Sequence, residues 1–443
     1  MLRTFRIGGT HPPENKLSAG KKVRVIEAPG QVVIPLRQHI GAPAQAVVKK
    51  GDRVKAGTLL ARPAGLVSAG IHSSVSGKVN KIDEIVDMSG YKQPAVYIDT
   101  EGDEWEEAID RSETLKKECT LSSSEIVRRI SEAGIVGLGG ATFPTQVKLM
   151  PPPGSRAELL IINGVECEPY LTSDHALMIE KGEQILTGVS ILMKAIDVHK
   201  AVIGIESNKP DAIVYFRDMV RNFPGIDIMP LKVQYPQGGE KQLIDAVIRR
   251  QIKSGALPIS VGAVVQNVGT AYAVYEAVQK NKPLIERIVT VTGKGLPEPS
   301  NFLVRIGTPI RRLIEAAGGI PGDTGKIIGG GPMMGKALVS ADIPVTKGCS
   351  GVLLLPKQEA LRKPACNCIR CAKCVSVCPM GLNPALLMNA TEFANWEVAE
   401  KNYVVDCIEC GSCNFICPAN RPLLDYIRSG KGKVMELIRN RKS

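Results

Sequence analysis

Short runs of β-branched residues alternate with polar and turn-forming positions from about residue 30 to 85. "VVKKGDRVKAGTLLA" and "SSVSGKVNKI" predict strand–turn–strand units, with Gly51-Asp52 as a turn. The acidic "EGDEWEEAIDRSE" reads as a linker. After it, "LSSSEIVRRISEAGI" predicts a helix with a serine cap, its apolar face formed by Ile126, Val127, Ile130 and Ala133. Strand and helix patterns then alternate to about residue 280. "ELLIING" is a buried strand, and "SDHALMIEKGEQILTGVSILMKAI" predicts one long helix capped by Ser173 or Asp174. The theme repeats in "AVIGIE" with "KPDAIVYFRDMVRNF", "DIMPLKVQY" with "GGEKQLIDAVIRR", and "AVVQNV" with "TAYAVYEAVQ". Such alternation implies a parallel sheet with crossover helices. Strand-like "RIVTVTGKG" and "TPIRRLIEAAGG", a short helix ended by glycines, predict a small mixed module. The pattern divides the chain into residues 1–110, 111–282, 283–350 and 351–443.

At 443 residues the chain is long enough for about three or four units. Aromatics make up only 4% of it, too few to furnish base-stacking surfaces, so no nucleic-acid partner is expected. The net charge of +12 favours an acidic partner or an anionic surface. The amino-terminal residues contain no apolar signal core. The most apolar stretch, "ALPISVGAVVQNVGTAYAV", is interrupted by Pro258, Gln266 and Asn267, so no membrane span is expected. Docking on a membrane partner stays open, and the basic tail "RSGKGKVMELIRNRKS" suits it as well as it suits plain solvation.

Eight of the twelve cysteines fall between residues 368 and 417. Cys368, Cys371, Cys374 and Cys378 follow C-x2-C-x2-C-x3-C-P spacing, and Cys407, Cys410, Cys413 and Cys417 repeat it. This is the run of two-cluster ferredoxins, in which the fourth cysteine of each run serves the other cluster. Cys368, Cys371, Cys374 and Cys417 are expected to hold one [4Fe–4S] cluster, and Cys407, Cys410, Cys413 and Cys378 the second. Zinc is the weaker alternative, since it needs only paired C-x2-C units. Cys119, Cys167, Cys349 and Cys366 stand outside the runs, and no histidine has metal-ligand spacing.

"GIVGLGGATFPTQVKLM", residues 134–150, is rich in glycine yet fits no dinucleotide fingerprint. It follows a helix where the fingerprint follows a strand, and Thr142 occupies a glycine or alanine position. Gly137, Gly139 and Gly140 leave amides bare, and Lys148 offers charge to a phosphate. On these residues alone a plain turn stays open.

The same stretch resembles the flavin-binding loop of the NADH-oxidising flavoprotein subunit of respiratory complex I. "INGVECEPY" and "PQGGEKQLI" resemble that family's later FMN-site segments, in order. "GGTHPPENK", "VIPLRQHIGAPA" and "GGGPMMGKAL" resemble a narrower family, the C subunit of the Rnf complex. That membrane complex couples electron transfer between ferredoxin and NAD to ion pumping. The resemblance implies FMN contacts at Gly137, Gly139, Gly140, Lys148, Asn163, Glu166, Gly239, Glu240 and Asn267. Phe143 and Glu168 would face the nicotinamide nucleotide, the ring by stacking and the carboxylate at a ribose. Leu138, Thr142 and Lys241 depart from the family pattern.

The fold so implied is multidomain α/β. Residues 1–110 form a barrel-sandwich-like β domain, whose segment "RPAGLVSAGIHSS" has no lysine to carry a lipoyl or biotinyl group. Residues 111–282 form an α/β FMN- and NAD(H)-binding domain, 283–350 a β-grasp module of the soluble-ligand-binding type, and 351–443 a helical two-cluster ferredoxin-like domain. The implied activity is that of an NADH-dependent oxidoreductase and translocase subunit, with NAD(H), FMN and two [4Fe–4S] clusters in sequence and no side chain needed as general acid or base. Its implied place is peripheral, on the cytoplasmic side of the cell membrane. The implied partners are the other subunits of the complex, among them a ferredoxin-like iron–sulfur subunit. Two alternatives remain: a cobalamin reductase of propanediol-using microcompartments, and an iron–sulfur relay that has lost its flavin.

Overall fold

Alternate residues of the first strands point inward, and Val32, Ile34, Leu60, Ile71, Val79 and Ile98 meet in one core. The computed structural model, which describes residues 2–441, forms this core between two small antiparallel sheets. One contains Gln31–Pro35, Lys92–Thr100, Gly77–Val86 and Arg53–Val54 in that order, and the other Gln45–Ala46, Leu59–Arg62 and Ile71–His72. The barrel sandwich thus begins near residue 31. The residues before it form a strap over other units. Thr10 and Tyr235 exchange two backbone hydrogen bonds, and Arg24–Val25 pairs in parallel with Phe302–Leu303.

The second unit has four parallel strands, β1 (Leu159–Asn163), β2 (Ala201–Glu206), β3 (Ile226–Leu231) and β4 (Ala263–Asn267). Their Val/Ile-rich sequences suit strands buried on both faces. Around them lie α1 (Ser123–Glu132), α2 (Thr145–Lys148), α3 (Ser173–Glu180), α4 (Gly182–Ala195), α5 (Pro210–Met219), α6 (Glu240–Ile248) and α7 (Val268–Gln279). The capping box that begins α1 is formed by Ser122 and Glu125, and Ile126 and Ile130 are its buried residues. The single long helix expected from residue 173 is instead two, α3 and α4, separated at Lys181. Helix α5 crosses at the break, so close that a Cβ on Gly182 would lie 2.4 Å from Met219 Cε. The strand order β3-β2-β1-β4 reverses direction between β1 and β4. In open parallel sheets that reversal leaves a crevice at the carboxyl ends.

The third unit is a six-stranded mixed sheet under helix Ile310–Ala316, with Val289, Phe302, Leu313 and Val352 in its core. Strand Gly351–Pro356 pairs with Glu286–Thr292 and Thr324–Gly329. The boundary expected at 350/351 therefore falls inside this sheet, because "GVLLLP" is an apolar run that only a central strand position can bury. The cysteine module follows as short helices and the long helix Leu423–Asn440, packed around Leu387, Met388, Val404 and Ile427.

Lys347, only 1% exposed, joins the first three units. Its Nζ donates to the carbonyls of Gly70 (2.8 Å) and Gly134 (2.7 Å), and its backbone N–H donates to Gln38 at 2.9 Å. Burial pulls this ammonium from its ordinary 10.5 down to about 7. Between those values the unfolded chain binds the extra proton, so this residue makes stability rise with pH, by up to about 1.4 kcal/mol per unit. Lys347→Met should remove that rise. Denaturation of both forms at about pH 7 and about pH 10 should show the wild type gaining more stability than the variant, and parallel curves would refute the assignment.

Candidate functional site

Strands β1 and β4 end in register partners, Asn163 and Asn267, at the reversal point. Asn267 caps α7, its Oδ1 accepting from Gly269 N–H at 2.8 Å. Its Nδ2 donates to Asp174 at 2.7 Å and to the Asn163 carbonyl at 3.3 Å. Asn163 Nδ2 donates to the Gly238 carbonyl at 2.8 Å, which places Gly239 and the start of α6 beside it.

The glycine loop leaves α1 and closes on itself, Gly137 N–H donating to the Phe143 carbonyl at 2.9 Å. Its tip lies over the start of α7, where Leu138 N–H donates to Thr270 Oγ1 at 2.9 Å. A Cβ on Gly139 would come within 2.9 Å of the Asn267 side chain, whereas one on Gly140 would meet nothing within 4 Å. Gly139 thus packs directly on Asn267, with no room for a side chain between them. Thr142 holds φ at +54°, a strained value for a β-branched residue, with its methyl where a Cβ on Gly348 would lie 2.8 Å away. Phe143 is half-buried on the lip of the loop. Lys148, at the end of α2, donates to Glu240 at 2.6 Å and to the Val265 carbonyl at 3.2 Å. Lys148 and the amino ends of α6 and α7 therefore meet at one crevice, which suits an anionic phosphate. These residues fit FMN.

Two of the expected site carboxylates take backbone partners. Glu166 turns back to cap α3, accepting from Asp174 N–H at 2.8 Å and His175 N–H at 3.1 Å. Glu168 accepts from the N–H groups of Met333 (2.6 Å) and Met334 (3.0 Å), beyond the third unit's strand Thr324–Gly329. Burial raises its carboxyl, and those two amides oppose the rise. Behind the crevice, burial together with the adjacent Glu166 lifts Asp174 to about 7. Burial likewise lifts Glu206 to about 7 against the pull of Lys209. Lys16 Nζ gathers three carbonyls of the same loop, those of Glu166 (2.9 Å), Glu168 (3.0 Å) and Leu171 (2.7 Å).

The two cysteine runs repeat one backbone. Arg370 and Glu409 have φ of 55° and 58°, and Ala372 and Gly411 have 57° and 78°. Left-handed residues at these points curl each run into a tight loop. Cys378, Cys407, Cys410 and Cys413 line one apolar cavity, although Cys378 belongs to the other run. Cys374 is raised by burial and, to a lesser degree, by the neighbouring Cys417. Cys378 thus stands with the second run and Cys374 near Cys417, as crossed ligation would require. Burial raises the Cys407 thiol to about 11. Among the described residues, no three cysteine, histidine or acidic side chains converge as a single ion requires. Four thiols drawn from both runs into one apolar cavity suit a [4Fe–4S] cube.

The two sets differ in their surroundings. Cys368 and Cys371 are exposed. Around the inner set, Tyr235 Oη donates to the Cys410 carbonyl at 2.7 Å, and Gln242 of α6 donates to the Pro379 carbonyl at 3.1 Å. Gly9 N–H donates to the Val377 carbonyl at 2.9 Å. The inner set thus rests on the elements that shape the crevice.

Four family models match in chain order: the RnfC barrel sandwich hybrid domain over residues 4–103, the Nuo51 FMN-binding domain over 130–276, the SLBB domain over 288–337 and the 4Fe-4S dicluster domain over 367–421. The chain is 47% identical over 433 residues to the C subunit of the proton-translocating ferredoxin:NAD(+) oxidoreductase complex of Clostridium ljungdahlii, covering 97% of this chain and 93% of that one. It is 43% identical to the Na(+)-translocating counterpart of Acetobacterium woodii, with 98% and 97% covered. The chain belongs to the family of Rnf complex C subunits. A solved NAD+-reducing [NiFe]-hydrogenase, in the air-oxidised state, shares the fold with a TM-score of 0.52 and 16% identity, over 71% of this chain and 66% of that one. In this family member the FMN-binding and dicluster domains stand in one chain. No helix among the described residues is long and apolar enough to cross a membrane.

Sequence reasoning missed Lys16, Tyr235 and Asp174 as parts of this site. Lys16 ends "HPPENK" and Tyr235 precedes "PQGGEK", so adjacency to family segments was the available signal. Two outcomes are expected. Gly139→Ala should weaken FMN binding about tenfold or more in a flavin-fluorescence titration, while Gly140→Ala retains it. Cys417→Ala should alter the paramagnetic signal of the cluster held by Cys368, Cys371 and Cys374, and loss confined to the other cluster's signal would show the crossing to be wrong.

Proposed function

We propose that this Rnf-family protein moves electrons between NAD(H) and a neighbouring subunit of a membrane ion-translocating complex, by way of FMN in the crevice and the two cysteine sets. The observation that carries this reading is the asymmetry of the cysteine module: its inner set is seated on crevice elements, and its outer set lies at the surface. When bound, FMN takes two electrons from NADH as a hydride and releases them singly to clusters that carry one each. The chain's own residues bind and orient. Lys148, which donates to Glu240, would supply positive charge to the flavin phosphate. Gly137 and Gly139 of the loop, with Asn163, Gly239, Glu240 and Asn267, would hold the cofactor. Phe143, on the lip, is placed to stack on the nucleotide.

The surface around the outer set supports exit to a protein partner. Ile369 (68% exposed) and Phe415 (47% exposed) lie in the two cysteine runs, with Arg370 and Lys373 also exposed. Exposed apolar and basic groups in these runs suit an acidic, ferredoxin-like iron–sulfur subunit. The protein would then sit peripherally on the cytoplasmic side of the membrane. Anaerobic purification with reconstituted clusters and FMN tests the reading. NADH should bleach the flavin absorbance and then that of the clusters. Protein that carries clusters but neither binds FMN nor is reduced by NADH would leave only a flavin-less relay.

A further inference from the structure

Residues 3–10 of the strap are tied to the flavin unit along their length. Arg3 pairs with Leu231 at the end of β3, and its carbonyl accepts from Lys232 N–H at 2.8 Å. Arg6 grips Asp245 of α6, its backbone N–H and its Nε each donating at 2.8 Å. Phe5, between them, is buried. On the far side Thr10 makes its two bonds to Tyr235. The turn between these anchors, Gly8-Gly9, lies against the cysteine module. Gly9 N–H donates to the Val377 carbonyl at 2.9 Å. Gly8 is so close that a Cβ on it would stand 2.5 Å from both the carbonyl carbon and the carbonyl oxygen of Cys378. It also holds φ at +72°, which glycine adopts freely. Beyond Cys378, the Pro379 carbonyl takes its bond from Gln242 of α6. The backbone on both sides of Cys378 is thus held from the flavin unit. Cys378 is also the cysteine that crosses, since by chain it belongs to the first run yet it lines the cavity of the inner set. It is buried, whereas its counterpart in the second run, Cys417, is only half-buried.

We infer that the Gly8-Gly9 turn is part of the inner cluster's cage, a positioning element that holds and covers the crossing cysteine, Cys378. A cysteine on a free loop can swing away from its iron and admit solvent. One whose neighbouring carbonyls are both clamped, and whose own carbonyl is roofed by backbone, is kept in place and dry. Groups outside the ligand shell orient the ligands and set how exposed a cluster is. A side chain at position 8 would push the strap off this loop, because the atoms it meets are backbone and not the end of a flexible side chain. The inference rests on the crossed ligation within the proposed function.

The test uses the full chain, with and without reconstituted clusters. Without clusters, amide hydrogen exchange should show Gly9 protected in the wild type and about tenfold less protected in Gly8→Ala. With clusters, ferricyanide removes an electron from a [4Fe–4S] cube, the oxidised cube sheds a ferrous ion, and the three-iron product is read by its paramagnetic signal. That signal is assigned against Cys410→Ala, which opens the inner cluster, and Cys371→Ala, which opens the outer. Gly8→Ala should convert the inner cluster about tenfold faster than the wild type and leave the outer one unchanged. Gly20→Ala should behave as wild type, since Gly20 is also left-handed, at φ +73°, but a Cβ there meets nothing within 4 Å. Arg6→Gln loosens the strap without adding an atom at the contact, and should move both readouts in the same direction as Gly8→Ala. Equal conversion rates in wild type, Gly8→Ala and Arg6→Gln would overturn the inference, and so would a Gly20→Ala chain as labile as Gly8→Ala. If Cys378→Ala gives the signal of Cys371→Ala, the crossed ligation is wrong and the inference falls with it. If Cys378→Ala matches Cys410→Ala while Gly8→Ala stays stable, the ligation stands and the role of the strap alone falls.

Discussion

The register that sets Asn163 beside Asn267 is the constraint from which the rest of the site is located. Both strands are buried on their two faces, so neither can slip without carrying its apolar residues to the wrong side. Once paired, the two amides hold segments that are far apart in the chain. Asn267 caps α7 and touches Gly139 of the glycine loop, and Asn163 binds Gly238 ahead of α6. Helix α6 then reaches Pro379 beside the inner cysteine set. Two side chains in register thereby relate a flavin cradle to a cluster cage.

A second device recurs in the irregular segments, which have no ladder partners for their carbonyls. Lysine amino groups gather them. Lys16 takes the carbonyls of Glu166, Glu168 and Leu171, and Lys280 takes those of Ser112 and Thr114 together with the Asp110 carboxylate. Lys347 takes Gly70 and Gly134. Burying such a charge is costly, and a buried group of this kind tolerates only the geometry that satisfies its hydrogen bonds. The loops so held are those that must stay still: the "VECEPYL" turn, the acidic connection and the entrance to the glycine loop.

The cysteine module shows how one local sequence takes two roles. Its runs share their spacing and their left-handed residues, yet Ala372 is exposed while Gly411 lies against the Met333 carbonyl. Alanine is tolerated at the first position because nothing covers it. The second has no room for a methyl. The difference between an inner and an outer set is therefore made by the neighbours and not by the motif.

Spacing and periodicity were legible because they act within a turn or a strand. The serine cap of α1 and the strand–helix alternation from residue 159 onward are each local, and each formed as read. The resemblance located the crevice residues Gly139, Lys148, Asn163 and Asn267, which do come together. Tertiary structure alone decided the break between α3 and α4, the placing of Gly351–Pro356 in the third unit's sheet, and the strap made by the first residues. It also decided what Glu166 and Glu168 do. Periodicity reports which face of an element is buried, but a carboxylate's partner is whichever donor the fold brings near. For Glu168 that donor stands 165 residues along the chain.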